Sequence, residues 1–308
     1  MEPEIEWTAK FPLLGPSGER VDLRRTFRSH GVASLPPMWM DEEALAFEAT
    51  LAVDGARPRT VRVSQGGPGY GCIGVSGEPP EQEERLLASV RHVLRMDEDL
   101  SSFYALAAED RDLSWVTSGA GRMIQSPTVF EEVVKTICTT NCAWSATERM
   151  VGALVEHLGE PAPGAPESGP YGRSFPTPEA MAEAGEDFYR DVVRAGYRGK
   201  YLMTLARSMV DGSLDLEELG VASKEELPDD ELEKRLLALP GVGPYAAAHV
   251  MMMLGRYSRL ILDSWTRPKY AKLAGEQIIT DAEILVRFQN YGEYAGLAFW
   301  LYLTRDWI

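Results

Sequence analysis

The stretch LPGVGPYAAAHV, Leu239 to Val250, decides how the rest of the chain is read. Two glycines one residue apart follow a proline, and an alanine-rich helical run begins at once. Upstream, PDDELEKRLLAL has amphipathic spacing, with acids at its N-terminal end where the helix dipole favours them. PGVG is the turn, and Pro244 suits the first turn of a second helix, PYAAAHVMMMLG. The pattern is a helix–hairpin–helix. Its turn can offer the backbone N–H groups of Gly241 and Gly243 to a phosphate without any side-chain charge. Residues lacking a side chain there let a nucleic-acid backbone approach closely. The other reading of the same residues is an ordinary αα-hairpin with a glycine cap.

An anion-binding turn is unexpected in a chain of 308 residues with a formal net charge of -16. That balance argues against indiscriminate coating of polyanions but leaves room for a local basic face. From Asp211 to Glu233, ten of 23 residues are acidic. From Pro240 to Lys272 one acid, Asp263, stands against five bases: Arg256, Arg259, Arg267, Lys269 and Lys272. A second basic cluster is Arg190, Arg194, Arg198, Lys200 and Arg207. Taken alone, each cluster also reads as a solvated face.

The length admits one large or two ordinary domains. No apolar run reaches the ~18 residues that span a bilayer, so no membrane partner is expected. The N-terminus, MEPEIEWTAKFPLLG, is acidic and lacks the long apolar core of a secretory leader. Three cysteines, Cys72, Cys138 and Cys142, form no disulfide framework and cannot supply four cluster ligands. The histidines show no zinc-ligand spacing.

The first hundred residues read as β-rich. LAFEATLAV alternates, Asp54-Gly55 turns, and RTVRVS alternates again, a hairpin signal. Gly69-x-Gly71-x-x-Gly74 matches a dinucleotide fingerprint, but Pro79 and Pro80 intervene before any helix, so turns between strands are expected. After EPPEQEERLLASVRHVLRM helical periodicity dominates, broken by the Pro/Gly-rich loop Gly159 to Pro178. The expected architecture is α+β: a β-rich N-terminal domain over 1–115 and an all-helical domain over 116–308.

After the hairpin comes RLILDSWTRPKY. Asp263 follows an apolar run and precedes Trp265, a placement suited to opposing a cationic transition state or deprotonating a water. It equally suits a helix N-cap before WTRPKYAKL.

Together these residues resemble the helix-hairpin-helix DNA glycosylase superfamily, in which an LPGVG hairpin is followed about twenty residues later by a catalytic aspartate. Here Gly243 to Asp263 is twenty residues. Over most of its length the chain is similar to the 8-oxoguanine branch. The segments carrying the likeness are MDEDLSSFYALAAED, QSPTVFEEVVKTICTTNCAWSATERMVGALVEHLG, FPTPEAMAE, GYRGKYLMTLARSM and YGEYAGLAFWLYL. The resemblance implies Asp263 as the catalytic aspartate. It implies Asn141 as filler of the gap left by a flipped base, with Tyr197 and Arg198 as wedge and orphan-base contact. Gly241, Gly243, Lys200 and Arg267 are the remaining expected DNA contacts. An alkali cation held by the carbonyls of Leu237, Leu239 and Val242 is the one cofactor implied.

Departures from that branch matter. Its lysine nucleophile is here Tyr245, and a phenol cannot form a Schiff base with a sugar. Its base-gripping glutamine is Phe299, and a second arginine that reads the opposite cytosine is Ala146. An aromatic residue at the lysine position resembles the monofunctional members that excise alkylpurines. Tyr245, Trp265, Phe299 and Trp144 are the candidate base-pocket aromatics, each equally readable as core. The expected function is therefore monofunctional excision of a damaged, alkylated purine from double-stranded DNA. The rival readings are an oxidised-purine glycosylase with an altered pocket and a catalytically silent DNA-binding module. A monomer is expected, in the cytoplasm or nucleoid of a bacterium or the nucleus or an organelle of a eukaryote.

Overall fold

The computed structural model describes residues 5–76 and 79–307. Five antiparallel strands form the N-terminal sheet in the order β1-β5-β4-β3-β2: β1 Ile5–Pro12, β2 Met38–Asp41, β3 Ala46–Val53, β4 Ala56–Gln65 and β5 Tyr70–Ser76. The Asp54-Gly55 turn joins β3 to β4, with Gly55 at φ 75°. The glycines of the fingerprint serve this sheet: Gly69 takes φ 77° in the turn before β5, and Gly71 and Gly74 lie within β5. A Cβ on Gly71 would come within 2.4 Å of the Phe11 ring, so the position is small because β1 packs onto it.

One sheet face is covered by the helix Glu83–Val93, whose Leu86, Val90 and Val93 join Phe47, Val63 and Ile73 in one buried cluster. The loop 159–178 returns to this sheet, where the Tyr171 hydroxyl donates to Glu48 at 2.6 Å and its ring packs on Trp39.

Two further apolar clusters build the helical part. One joins the helices Val129–Thr139, Trp144–Leu158, Arg198–Val210 and Asp229–Leu237. The other joins residues 100–123 to the C-terminal helices Asp281–Phe288 and Ala295–Thr304. The expected division at 115/116 therefore cuts through packed structure. Leu100, Phe103, Tyr104 and Leu113 are buried in the cluster that holds Tyr291 and Leu297, and not in the cluster of the sheet. Sequence could not place this boundary, because the helix Ser101–Ala108 follows the β-rich stretch directly but packs on residues nearly two hundred positions later.

The hairpin's second helix, Pro244–Met253, lies between the two helical clusters. Ala246, Ala247, Val250 and Met251 face one, and Ala248, Met252 and Met253 face the other. A helix buried on all sides must be apolar all round, which accounts for its composition. Its C-terminal end is held by Arg95, whose guanidinium donates to the Met253 carbonyl at 2.7 Å. Arg122, fully buried, donates in turn to the Arg95 and Glu98 carbonyls and to Glu19. The site-bearing helix is thereby fixed to the sheet layer.

Candidate active site

The first hairpin helix, Asp229–Leu237, buries Leu232 and Leu236 and opens with three acids in its first turn. The turn that follows needs glycine at one of its two glycine positions. Gly241 sits at φ 82°, and a Cβ there would lie 2.6 Å from the Tyr201 ring. Gly243 is extended, with φ -104° and ψ -175°, and a Cβ on it would meet open space. Gly241→Ala should therefore cost about 1–3 kcal/mol through strain and displacement of Tyr201. Gly243→Ala should change stability by less than about 0.5 kcal/mol. Denaturant unfolding of the two variants checks this contrast, and equal losses would refute it. The Val242 N–H donates to the Leu239 carbonyl at 3.2 Å, closing the turn. The Leu237 carbonyl belongs to the last helical residue, where no further helical amide is available to it.

Asp263 lies just outside the helix Thr266–Ala274. Its Oδ1 accepts the Trp265 and Thr266 amides at 2.8 and 2.7 Å, while its own amide donates to the Thr266 hydroxyl at 2.8 Å. The capping reading of this residue is realised. The capping bonds fix the carboxylate through one oxygen, and Oδ2 carries no protein hydrogen bond among the described residues. Asp263 lines a cleft of about 1090 Å³ shared with Asn141, Trp144, Tyr197, Tyr245 and Trp265. Gly241 and Gly243 stand on the same wall. That volume is at the upper end for a ligand pocket.

Tyr245 is half-buried, the second residue of the second hairpin helix, and its hydroxyl lies 3.3 Å from that of Thr139. Burial, and after it the Asp263 charge, push the phenol's pKa up, so it stays protonated and neutral. His249 lies one helical turn further on, its Nδ1 3.2 Å from the Thr136 hydroxyl. Burial pulls its pKa down to about 4, against the opposing influence of Asp263. His30 packs edge-on against it and is likewise lowered to about 4, first by burial and then by His249. This neutral histidine pair behind the cleft went unseen in the sequence. Its signal was the i, i+4 relation of Tyr245 to His249, which puts both on one helix face.

Trp265 is a wall residue of the cleft. It is 41% exposed toward solvent and backed by Trp300 and Trp307, with ring centroids 5.7 and 5.8 Å away. Trp144 and Tyr197 are exposed, and Asn141 is exposed with φ 47°.

The geometry bears on four further expectations. Phe299 does not reach the cleft: it is fully buried between Tyr270 and Phe288, because the helix Ala295–Thr304 turns that face inward. Arg198 is only 7% exposed, and its guanidinium donates to the Thr140 carbonyl, so it does not project toward an orphan base. Arg267 forms a two-pronged pair with Asp281 at 2.7 and 2.9 Å. The basic run 256–272 is largely neutralised by acids from other segments. Arg256 pairs with Asp229, Arg259 with Asp230 and Glu233, and Lys269 with Asp306. Lys200 is exposed on the first turn of the helix Arg198–Val210 and makes no ion pair among the described residues.

No protein-family model matches the chain. A curated relative from Methanothermobacter thermautotrophicus, described as a probable N-glycosylase/DNA lyase, is 25% identical over 267 residues, 80% of each chain. The 3-methyladenine DNA glycosylase from Archaeoglobus fulgidus superposes with a TM-score of 0.73 at 18% identity, covering 97% of this chain and 99% of that one. These matches join the hairpin-to-aspartate spacing to a whole-chain likeness of fold. In overall fold and in hairpin-to-aspartate spacing the chain is similar to the helix-hairpin-helix DNA glycosylases. The Clostridium acetobutylicum 8-oxoguanine glycosylase/lyase, in complex with double-stranded DNA containing cytosine opposite 8-oxoguanine, also superposes on this chain. Its TM-score is 0.71 at 19% identity, over 99% of both chains. Among the described residues no helix is long and apolar enough to cross a membrane, and no cluster of histidine, cysteine and acidic side chains could hold a metal ion.

Proposed function

We propose that this glycosylase hydrolyses the N-glycosidic bond of a damaged, alkylated purine in double-stranded DNA and does not cleave the strand afterwards. The observation that carries the reading is Tyr245 on the wall of the Asp263 cleft. A strand-cleaving glycosylase needs an amine there to form a Schiff base. The phenol is kept neutral by burial, and Lys269 is held by Asp306 at 2.7 Å.

The base would leave the stack at a cost of about a few kcal/mol, and Tyr197 and Asn141, exposed at the cleft rim, would occupy the gap. Trp265, Trp144 and Tyr245 offer aromatic faces on which a cationic alkylpurine stacks favourably. Such a base is already a good leaving group, so one carboxylate suffices in place of the usual glycosidase pair. As the bond breaks, positive charge grows on the sugar. Asp263 Oδ2 would oppose that charge and orient the attacking water. The amides at Gly241 and Gly243 would take a phosphate, since most of the neighbouring guanidinium groups are already paired. The neutral carbonyl oxygens of Leu237, Leu239 and Val242 are hard donors suited to an alkali cation, which would brace that turn.

Duplexes carrying 3-methyladenine, hypoxanthine or 8-oxoguanine, assayed with and without alkali, test the proposal. The expected result is excision of 3-methyladenine, with strand breaks only after alkali, and no covalent adduct on borohydride reduction. Breaks without alkali would refute the monofunctional assignment. Excision confined to 8-oxoguanine would refute the alkylpurine assignment.

A further inference from the structure

Thr139, Thr140 and Thr147 line the Asp263 cleft. A hydroxyl has one proton to give and two lone pairs to receive. All three of these protons go to carbonyls in the last turn of the helix Val129–Thr139. Thr139 donates to the Thr136 carbonyl at 2.7 Å, Thr140 to Ile137 at 2.8 Å and Thr147 to Cys138 at 2.9 Å. A carbonyl oxygen can only accept, so the direction of each bond is fixed.

A fourth proton is fixed as a consequence. The Tyr245 and Thr139 hydroxyl oxygens lie 3.3 Å apart, and by distance alone either could donate. The Thr139 proton is already committed to a carbonyl, so Tyr245 is the donor. Its proton points at Thr139, and the phenolic oxygen keeps only lone pairs for any other partner. The helix behind adds to the same polarity. Its C-terminal end, the negative end of its dipole, lies at Thr139 and Thr140 on the cleft wall.

We propose that Thr139 is a positioning residue: by taking the Tyr245 proton it holds the phenolic oxygen as an acceptor in the cleft, and this proton-free wall binds the positive charge of the reaction alongside Asp263. The inference rests on the glycosylase reading above and deepens it. As the base leaves with the electron pair of the glycosidic bond, the sugar becomes positive, and a negative dipole on the wall lowers the energy of that state. The same polarity favours a base that is itself cationic. Without Thr139 the phenol would be free to donate to Asp263 Oδ2, and that bond would weaken the attraction of the carboxylate for the sugar.

The test reads binding to the intact protein. One duplex carries a protonated pyrrolidine in place of the target sugar, and the other carries a neutral tetrahydrofuran of the same shape. With a carboxylate and an oriented dipole acting together, wild type should favour the cationic duplex by about 100-fold. Thr139→Val keeps the branched shape but removes the acceptor. It should cut the preference by about 10-fold and leave tetrahydrofuran affinity within about 3-fold. Thr139→Ser keeps the hydroxyl and should retain the preference. In a Tyr245→Phe background, Thr139→Val should change the preference by less than about 2-fold, since the phenol through which it acts is gone. A threonine that only supported the fold would lower both affinities and would act in either background. The proposal is overturned if the wild type does not favour the cation, if Thr139→Val leaves the preference intact, or if its effect persists with Tyr245→Phe. None of these readings needs a base to be excised. Failure to excise any damaged base would sink the proposed function separately.

Discussion

Asp263→Asn should lower single-turnover base excision by about 10²- to 10⁴-fold, the range typical for loss of a group that activates water or faces developing charge. Affinity for an abasic-site duplex should stay within about 3-fold of wild type, because the variant removes charge and not shape. The substitution is informative because of the dual use of this residue. Oδ1 accepts the Trp265 and Thr266 amides, and an asparagine carbonyl can accept the same two bonds. The helix start and the position of Trp265 are therefore retained. Asp263→Ala would remove the cap as well, at a cost of about 1 kcal/mol, and confuse the two effects. Excision by Asp263→Asn at the wild-type rate would eliminate the proposed chemistry.

Acid should weaken the fold as the pH falls from about 6.5 toward 4. His30 and His249 are buried with pKa values lowered to about 4, whereas an unfolded histidine titrates near 6.5. Between those values the unfolded chain binds more protons than the native one. Stability is therefore fully present above about pH 6.5 and falls as the pH drops toward 4. The difference amounts to about 3 kcal/mol for each histidine, a large share of the 5–15 kcal/mol that holds an ordinary domain together. His92, also lowered by burial, acts in the same direction. Glu131 acts oppositely, since burial raises its carboxyl pKa, but it is one group against three. Melting temperature measured from pH 8 to pH 4.5 should be flat at first and then drop steeply below pH 6.5. His249→Gln should reduce that slope by about half, whatever its effect at neutral pH. A melting temperature constant down to pH 4.5 would contradict the neutral, buried state of the pair.

The two results bear on one another. His249 stands one turn from Tyr245 and feels the charge on Asp263. Keeping the histidine pair neutral leaves Asp263 as the only group near the cleft floor whose charge the chemistry would use. Neutral histidines also add no positive charge to compete with that on a sugar for Asp263.

Features written in short contiguous stretches were legible in the amino-acid sequence. The Gly241 turn needs a left-handed residue, Pro244 needs a first helical turn, and Asp263 needs the two amides that follow it. Each requirement is met within four or five positions. The β3–β4 hairpin was visible for the same reason, through its alternation and Asp54-Gly55. Asn141, Trp144, Tyr197, Tyr245 and Trp265 were singled out from four separate segments, and the fold sets them around one cleft.

Other properties depend on partners far along the chain, and only the tertiary structure decided them. The cations of 256–272 looked available for DNA until Asp229, Asp230, Glu233 and Asp306 came alongside. Phe299 looked like a pocket residue until Tyr270 and Phe288 closed over it. Arg198 looked like a base reader until a carbonyl 58 positions earlier claimed its guanidinium. The reason is physical. Backbone conformation and capping are satisfied by neighbours in sequence, so a local pattern specifies them. A charge or an aromatic ring is satisfied by whatever packing brings within about 4 Å, and that is a property of the whole folded chain.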